Sequence, residues 1–147
     1  MSDYTSKQLL KKLATSLNEM DHTYELYAKR YNLSYTSLQI INLIAEIEDC
    51  TQKKICEVSF LPKQTVNSII KKLNKQDIVQ LTIDPNNKRS KIISFSEHGL
   101  EFSNKLIPTI KNSEIYSIEQ LNKKERYNMI HSLETYCQQL KKNLLSK

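Results

Sequence analysis

The sequence predicts a mainly α-helical fold that carries one small β-hairpin. Its 147 residues include one glycine and three prolines, so few positions favour a break and the helices should be long. Within residues 61–99, apolar residues first recur at spacings of three and four, which is the period of an α-helix. They then alternate with polar residues, which is the period of a β-strand. A chain of this length forms one domain with a sizeable core.

The helix that begins at Pro62 organises the rest of the prediction. Its apolar residues fall on one stripe and comprise Val66, Ile69, Ile70 and Leu73. The opposite side carries amide, hydroxyl and ammonium groups without a carboxylate; its residues are Gln64, Ser68, Lys71 and Lys75, with Asn67 at its shoulder. A proline is tolerated in the first turn of a helix, because the first N–H groups have no partner within the helix.

The two strands follow this helix directly. Residues 78–83 and 91–95 alternate, and the loop Asp84 to Ser90 between them carries Lys88 and Arg89 at its tip. Asp84 is close enough in such a hairpin to hold Arg89 by an ion pair. A polar-faced helix with a basic hairpin can read a groove of double-stranded DNA and contact the flanking backbone together. The predicted DNA-binding residues are Lys63, Gln64, Thr65, Asn67, Ser68, Lys71, Lys75, Asn87, Lys88, Arg89 and Lys91.

The charge distribution supports this interpretation. The formal net charge is +6, and residues 51–91 hold nine basic and three acidic side chains, so the whole excess lies in this segment. Lysines on one helix side usually form only a solvated surface. Their concentration on one segment, together with the basic hairpin, favours a polyanionic partner.

The segment DPNNKR followed by SKIISFSEHG resembles the wing and the following helix start of the MarR (multiple antibiotic resistance regulator) family. Asn87 stands where the family has an acid, Lys88 where it has its first arginine, and Asp77 where it commonly has glycine. An aspartate can adopt the left-handed conformation that such a position requires. The resemblance extends more loosely across the whole chain.

This resemblance implies a winged helix-turn-helix with N- and C-terminal helices that form a dimerisation region. The single domain 1–147 would have its DNA-binding core at 34–96 and its dimerisation helices at 5–31 and 97–145. The function implied is a transcriptional regulator, a ligand-responsive repressor that binds a pseudo-palindromic operator as a homodimer. The alternative is a winged-helix protein-interaction module that binds no DNA.

The first and last helices carry narrow apolar seams. In the helix from Ser6 to Tyr31 the spacing alternates between three and four, through Leu10, Leu13, Leu17, Met20, Tyr24, Tyr27 and Tyr31. A near-heptad stripe recurs in the last helix, at Met129, Leu133, Tyr136, Leu140 and Leu144. Such seams suit packing along another helix. The alternative for the first helix is packing on its own domain.

The remaining helices have recognisable starts. Ser34 or Thr36 can cap a central helix of residues 34–48, which is apolar around most of its circumference. Thr51 can cap a short supporting helix, Gln52 to Val58. Ser96 can cap a helix to about Asn112, which Pro108 should kink. Asn122 with Glu125 fits the cap of the final helix.

Tyr24, Tyr27 and Tyr31 form an aromatic end of the first seam. They are the predicted ligand-binding residues for a small aromatic or phenolic effector, although such a stripe is more often core. A reactive thiol at Cys50, next to Lys53 and Lys54, is the less favoured interpretation of the three cysteines, and an inert thiol is the favoured one.

No feature of the sequence supports an enzyme, and no cofactor or metal is expected. There is no glycine-rich phosphate loop, and the three histidines are scattered. Glu19 and His22 form one E-x-x-H motif, whereas a di-iron helix bundle needs two. The unpaired cysteines and the lack of a signal peptide or an apolar run of membrane-spanning length indicate a cytoplasmic protein without a membrane partner.

Overall fold

The computed structural model describes residues 3–146, and within them it contains six α-helices and one two-stranded antiparallel sheet. The elements in chain order are α1 Ser6–Lys29, α2 Tyr35–Glu46, α3 Gln52–Ser59, α4 Lys63–Lys75, β1 Val79–Asp84, β2 Asn87–Phe95, α5 Glu97–Glu119 and α6 Lys123–Leu145. The predicted fold class is therefore confirmed. The chain divides into two compact units, and the boundary lies between Ser103 and Asn104, within α5.

Helix α2 is the centre of the first unit. It contacts α1, α3, α4 and β2, and its buried side chains include Leu38, Ile40, Ile41 and Ile44. Its apolar circumference predicted this position, because a helix that is apolar on most sides must be covered on most sides. The predicted stripe of α4 is buried at Val66, Ile70 and Leu73, whereas Ile69 is half-buried.

Helix starts agree with the predicted caps. The side chains of Ser34, Thr51 and Asn122 accept the expected backbone N–H groups, and Ser96 Oγ accepts the N–H of Gly99 at 2.9 Å. The C-terminal ends of the helices differ more from the prediction than their starts do. In particular, α5 continues to Glu119, seven residues past the predicted end, with Pro108 inside it. A proline disturbs only the preceding turn, so the helix can resume after it.

The end of α4 shows why aspartate is tolerated at position 77. Asp77 has φ 56°, and the N–H groups of Asp77 and Ile78 donate to the carbonyls of Asn74 and Leu73. These two hydrogen bonds are those of a left-handed helix terminus. They offset part of the cost of placing a side chain there, and they turn the chain directly into β1.

The hairpin differs from the prediction at its loop. Only Pro85 and Asn86 separate the strands, so Lys88 and Arg89 lie on β2 instead of at the tip. Ile83 pairs with Lys91 and Asp84 with Asn87, which leaves residues 88–90 in a bulge without partners on β1. Asp84 Oδ1 accepts the N–H of Asn86 at 2.9 Å, and Asn87 Oδ1 accepts that of Arg89 at 3.1 Å. These side-chain acceptors stabilise the shorter turn.

The base of the hairpin is attached to the helices at two points. Ile93 N–H donates to the carbonyl of Cys50 at 2.7 Å, and Ser96 N–H donates to that of Ile78 at 3.1 Å. Gly99 approaches the same Ile78 carbonyl so closely that an added Cβ would lie 1.7 Å from its oxygen. These contacts set the position of the hairpin relative to α3 and α4.

Candidate nucleic-acid interface

Helix α4 presents two adjacent polar sides. Its outer side is exposed and consists of Gln64, Ser68, Lys71 and Lys75, as the helical period predicted. The neighbouring side, Lys63, Asn67 and Lys71, turns toward the hairpin and lines a groove. Lys71 belongs to both sides, so the two surfaces are continuous.

The groove lies between α3, α4 and the hairpin and has a volume of about 600 Å³. We call it the interhelix–wing groove. Its polar lining comes from all three elements, and its apolar floor is formed by Ile70, Leu81 and Ile93. The polar lining residues are Gln52, Lys53, Cys56, Lys63, Asn67, Lys71, Asn87, Arg89, Ser90 and Lys91.

The charged side chains that line the groove are all positive. Five cations, Lys53, Lys63, Lys71, Arg89 and Lys91, line it without a carboxylate. Within residues 3–146, the one ion pair of these five is Lys53 with Glu57 at 4.0 Å, and both side chains are largely exposed, so it neutralises little. The expected ion pair of Asp84 with Arg89 is absent, because the Asp84 carboxylate faces the turn instead. The groove can therefore bind a polyanion with several cations at once.

The predicted DNA-binding residues separate into groups. Lys63, Asn67, Lys71, Asn87, Arg89 and Lys91 converge in the groove. Gln64, Ser68 and Lys75 lie on the exposed outer side of α4, and Lys88 is exposed in the bulge. Thr65 is half-buried on the shoulder away from the groove.

Sequence reasoning missed the contribution of α3. It predicted only a supporting role, yet Gln52 and Lys53 form one wall of the groove. Gln52 Nε2 also donates to the carbonyl of Lys63 at 3.2 Å, which ties the start of α3 to the start of α4. The adjacent Lys54 has a different role, because its Nζ donates to the carbonyls of Glu48 and Asp49, each at 3.0 Å. No local pattern distinguishes Lys53 from Lys54.

The predicted tyrosines take part in two separate sets of ring contacts. The rings of Tyr24 and Tyr35 stack with centroids 5.3 Å apart, and those of Tyr27 and Tyr31 lie 5.4 Å apart. Tyr31 also meets Phe102 edge to face at 6.2 Å. Tyr35 and Phe102 were not predicted. All three predicted tyrosines are half-buried, so each remains partly accessible.

The cysteines have three different environments. Burial raises the pKa of the Cys50 thiol to about 11, and the nearby ammonium of Lys54 only partly opposes that shift. Lys54 does lower the pKa, as the sequence suggested, but desolvation is the larger effect, so the thiol is not activated. Cys56 is half-buried in the groove, and Cys137 is exposed on α6.

Residues 3–146 contain no group of three or more His, Cys, Asp or Glu side chains arranged to hold a metal ion. None of the helices in that range is long and apolar enough to cross a membrane.

Comparisons with known proteins agree on one family. A family model described as MarR family matches residues 31–90. The HTH-type transcriptional regulator SarZ of Staphylococcus epidermidis is 29% identical over 135 residues, which cover 92% of this chain and 90% of SarZ. The match thus spans nearly the full length of both proteins.

Solved structures share the fold at lower identity. The Staphylococcus aureus MepR–DNA complex superposes with a TM-score of 0.72 at 17% identity, covering 94% of this chain and 99% of MepR. Bordetella bronchiseptica BpsR, whose DNA binding is regulated by 6-hydroxynicotinic acid, superposes with a TM-score of 0.71 at 14% identity. The match covers 93% of this chain and 98% of BpsR. Together with the hairpin beside α4, these matches show that the chain is similar to the MarR family of winged helix-turn-helix transcriptional regulators.

Proposed function

We propose that this regulator binds DNA sequence-specifically, as a homodimer on a pseudo-palindromic operator. The observation that carries the proposal is the interhelix–wing groove, which five cations line without a carboxylate. Phosphate groups along a DNA strand are the polyanion that such a lining fits, and neutralising them releases counterions. The DNA-bound state of MepR, which has the same fold, supports the proposal.

The two sides of α4 would make different contacts with DNA. Its outer side enters the major groove, where the carboxamide of Gln64 can form two hydrogen bonds with an adenine. The interhelix–wing groove holds the phosphates of the strand beside it. Arg89 and Lys88 then reach the adjacent minor groove or its phosphates. Base contacts supply the specificity, and phosphate contacts supply position and most of the salt-dependent affinity.

The apolar seams support a homodimer. Leu10, Leu17 and Met20 on α1 are 40–50% exposed, and no residue of α6 is buried. On α6, Met129, Leu133, Tyr136, Leu140 and Leu144 all remain accessible. A second copy of the chain would bury both seams, and its α4 would meet a second half-site about 34–36 Å away.

We propose further that the protein is a repressor whose DNA affinity falls when a small aromatic or phenolic acid binds at Tyr24, Tyr27 and Tyr31. The stacked pair of Tyr24 and Tyr35 can take up another planar group, and the regulation of BpsR by 6-hydroxynicotinic acid supports this class. A ligand that binds better when the two α4 helices are wrongly spaced for DNA must weaken DNA binding by the same coupling. Thermal shift screening, followed by anisotropy with each binder, tests it; binders that all leave DNA affinity unchanged would refute it.

DNA binding is tested first with the region upstream of the protein's own gene. Fluorescence anisotropy should show salt-sensitive binding, with that region preferred over random duplex. At saturation, the same duplex should slow alkylation of Cys56 by iodoacetamide at least about tenfold, because a thiol must be accessible to react.

Cys137 is the matched control for that experiment. It is exposed on α6 and far along the chain from the groove residues, so DNA should leave its alkylation rate unchanged. Protein without detectable affinity for either duplex would refute DNA binding. DNA binding with an unprotected Cys56 would refute the groove as the place where a strand lies.

A further inference from the structure

Phe60 occupies an unusual position at the end of α3. Its backbone is left-handed, with φ 58° and ψ 16°, a conformation that bulky residues rarely adopt. Its side chain is 91% exposed, so the ring contributes almost no apolar burial. Glycine would fill this position at lower free energy. The folded chain by itself therefore has no use for the phenyl ring here.

The backbone of the turn is held without the ring. Phe60 N–H donates to the carbonyl of Cys56 at 3.0 Å, and Leu61 N–H donates to Ser59 Oγ at 3.2 Å. Helices α3 and α4 are also linked across the turn, because Gln52 on α3 donates to the carbonyl of Lys63 on α4. Removing the ring would leave these contacts in place, which separates its role from that of the backbone.

The position of Phe60 suggests what the ring touches. It precedes Lys63, the first residue of α4, by three residues, which span at most about 10 Å. In helix-turn-helix proteins the first residues of the second helix meet the base edges. The major groove offers one apolar group to a side chain, the 5-methyl group of thymine. Lys63 also lines the cationic groove, and this suits a DNA surface better than an apolar protein surface.

We propose that Phe60 is a specificity-determining residue whose ring packs against the 5-methyl group of a thymine, beside the bases contacted by the start of α4. The inference rests on the proposed function, because it requires DNA at α4. It adds an apolar contact beside the outer side of α4, whose exposed residues are polar or charged: Gln64, Ser68, Lys71 and Lys75. It also explains why a strained, exposed aromatic residue stands at this turn.

The test uses the full-length protein and a duplex selected with it from a random library. Each thymine in a half-site is replaced in turn by deoxyuridine, which removes only the methyl group. The wild-type protein should lose about fourfold in affinity at one thymine, the factor expected for exposing one buried methyl group. Phe60→Gly should bind the thymine and uracil duplexes equally at that position, with an unchanged salt dependence.

Thermal unfolding supplies the control for a structural role. Phe60→Gly should melt at a higher temperature than the wild type, because glycine accepts the left-handed backbone without strain. Phe60→Asn, which also tolerates that backbone, should lose the methyl sensitivity as well. A ring that serves the fold would instead give a lower melting temperature on replacement by glycine.

The outcomes separate the two proposals. A protein that binds no selected duplex refutes the proposed function and this inference with it. A protein that binds DNA but shows no thymine whose methyl effect depends on Phe60 refutes only the inference. A Phe60→Gly variant that melts lower and loses affinity for all duplexes equally would also overturn it.

Discussion

Replacing Gly99 with alanine should destabilise the protein, although helix propensity alone predicts the opposite. Gly99 is the third residue of α5, and alanine in a helix is favoured over glycine by about 1 kcal/mol. In the structure, however, an added Cβ would lie 1.7 Å from the carbonyl oxygen of Ile78, where ordinary contacts begin at 3.4 Å. The two backbone segments must therefore move apart by nearly that difference.

The size of the effect follows from what the Ile78 carbonyl does. It accepts the N–H of Ser96 at 3.1 Å and lies in a residue that is 7% exposed. Losing a hydrogen bond at a buried group costs about 1–3 kcal/mol, and overpacking costs about 1–3 kcal/mol. After the gain in helix propensity is subtracted, Gly99→Ala should lower the free energy of unfolding by about 3 kcal/mol. A typical domain has a free energy of unfolding of about 5–15 kcal/mol. The same shift would displace the base of the hairpin and weaken DNA binding.

Urea unfolding followed by circular dichroism measures this loss, with protein concentration held equal because an oligomer's stability depends on it. Asn104→Ala is the matched control: the residue is exposed on the same helix, and alanine there should be neutral or slightly stabilising. If Gly99→Ala is as stable as the wild type or more stable, the close approach of α5 to Ile78 is wrong.

Further substitutions test the proposed surfaces. Gln64→Ala should lose about 1–3 kcal/mol of preference for the operator over random DNA. Arg89→Ala should instead weaken binding to operator and random DNA alike, and it should reduce the slope of log affinity against log salt concentration by about one. A salt series on both duplexes measures this, and equal behaviour of the two variants would contradict the division of roles. Leu17→Asp should abolish dimerisation in light scattering because it buries an unpaired charge, while Leu26→Asp, on the opposite side of α1, should not; an unchanged dimer in Leu17→Asp would place the interface elsewhere. Cys50 should resist iodoacetamide in the folded protein, and because its pKa is raised from 9.0 to about 11, its contribution to stability should be complete below pH 9 and decline as the pH rises toward 11. Fast alkylation of folded Cys50 at pH 8 would refute its burial.

Local features could be predicted from the sequence because their causes lie within a few residues. A stripe such as Val66, Ile70 and Leu73 follows from 3.6 residues per turn. A cap such as Ser34 or Thr51 acts on an N–H three residues later. The left-handed Asp77 closes a helix through adjacent carbonyls. The charge of residues 51–91 is a property of composition, and it does not depend on the tertiary structure.

The hairpin shows where local reasoning fails. The strands and their alternation were predicted, but their ends depend on two side chains, Asp84 and Asn87, that accept backbone N–H groups within the turn. The short turn that these hydrogen bonds stabilise differs from a longer loop by only a small free energy. The resulting bulge moves Lys88 and Arg89 onto β2, and only Arg89 lines the groove.

By itself the sequence determined the helices, their buried sides, the hairpin and the net positive charge of residues 51–91. Only the tertiary structure decided which cations share a groove, since Lys53 and Arg89 are brought together from α3 and β2. It also decided that Lys53 faces this groove while Lys54 donates to the carbonyls of Glu48 and Asp49, and that Cys50 is desolvated instead of activated. The physical reason is that these features depend on how separate helices and strands pack. Packing brings together residues that are distant in the sequence, and no helical or strand periodicity relates their positions.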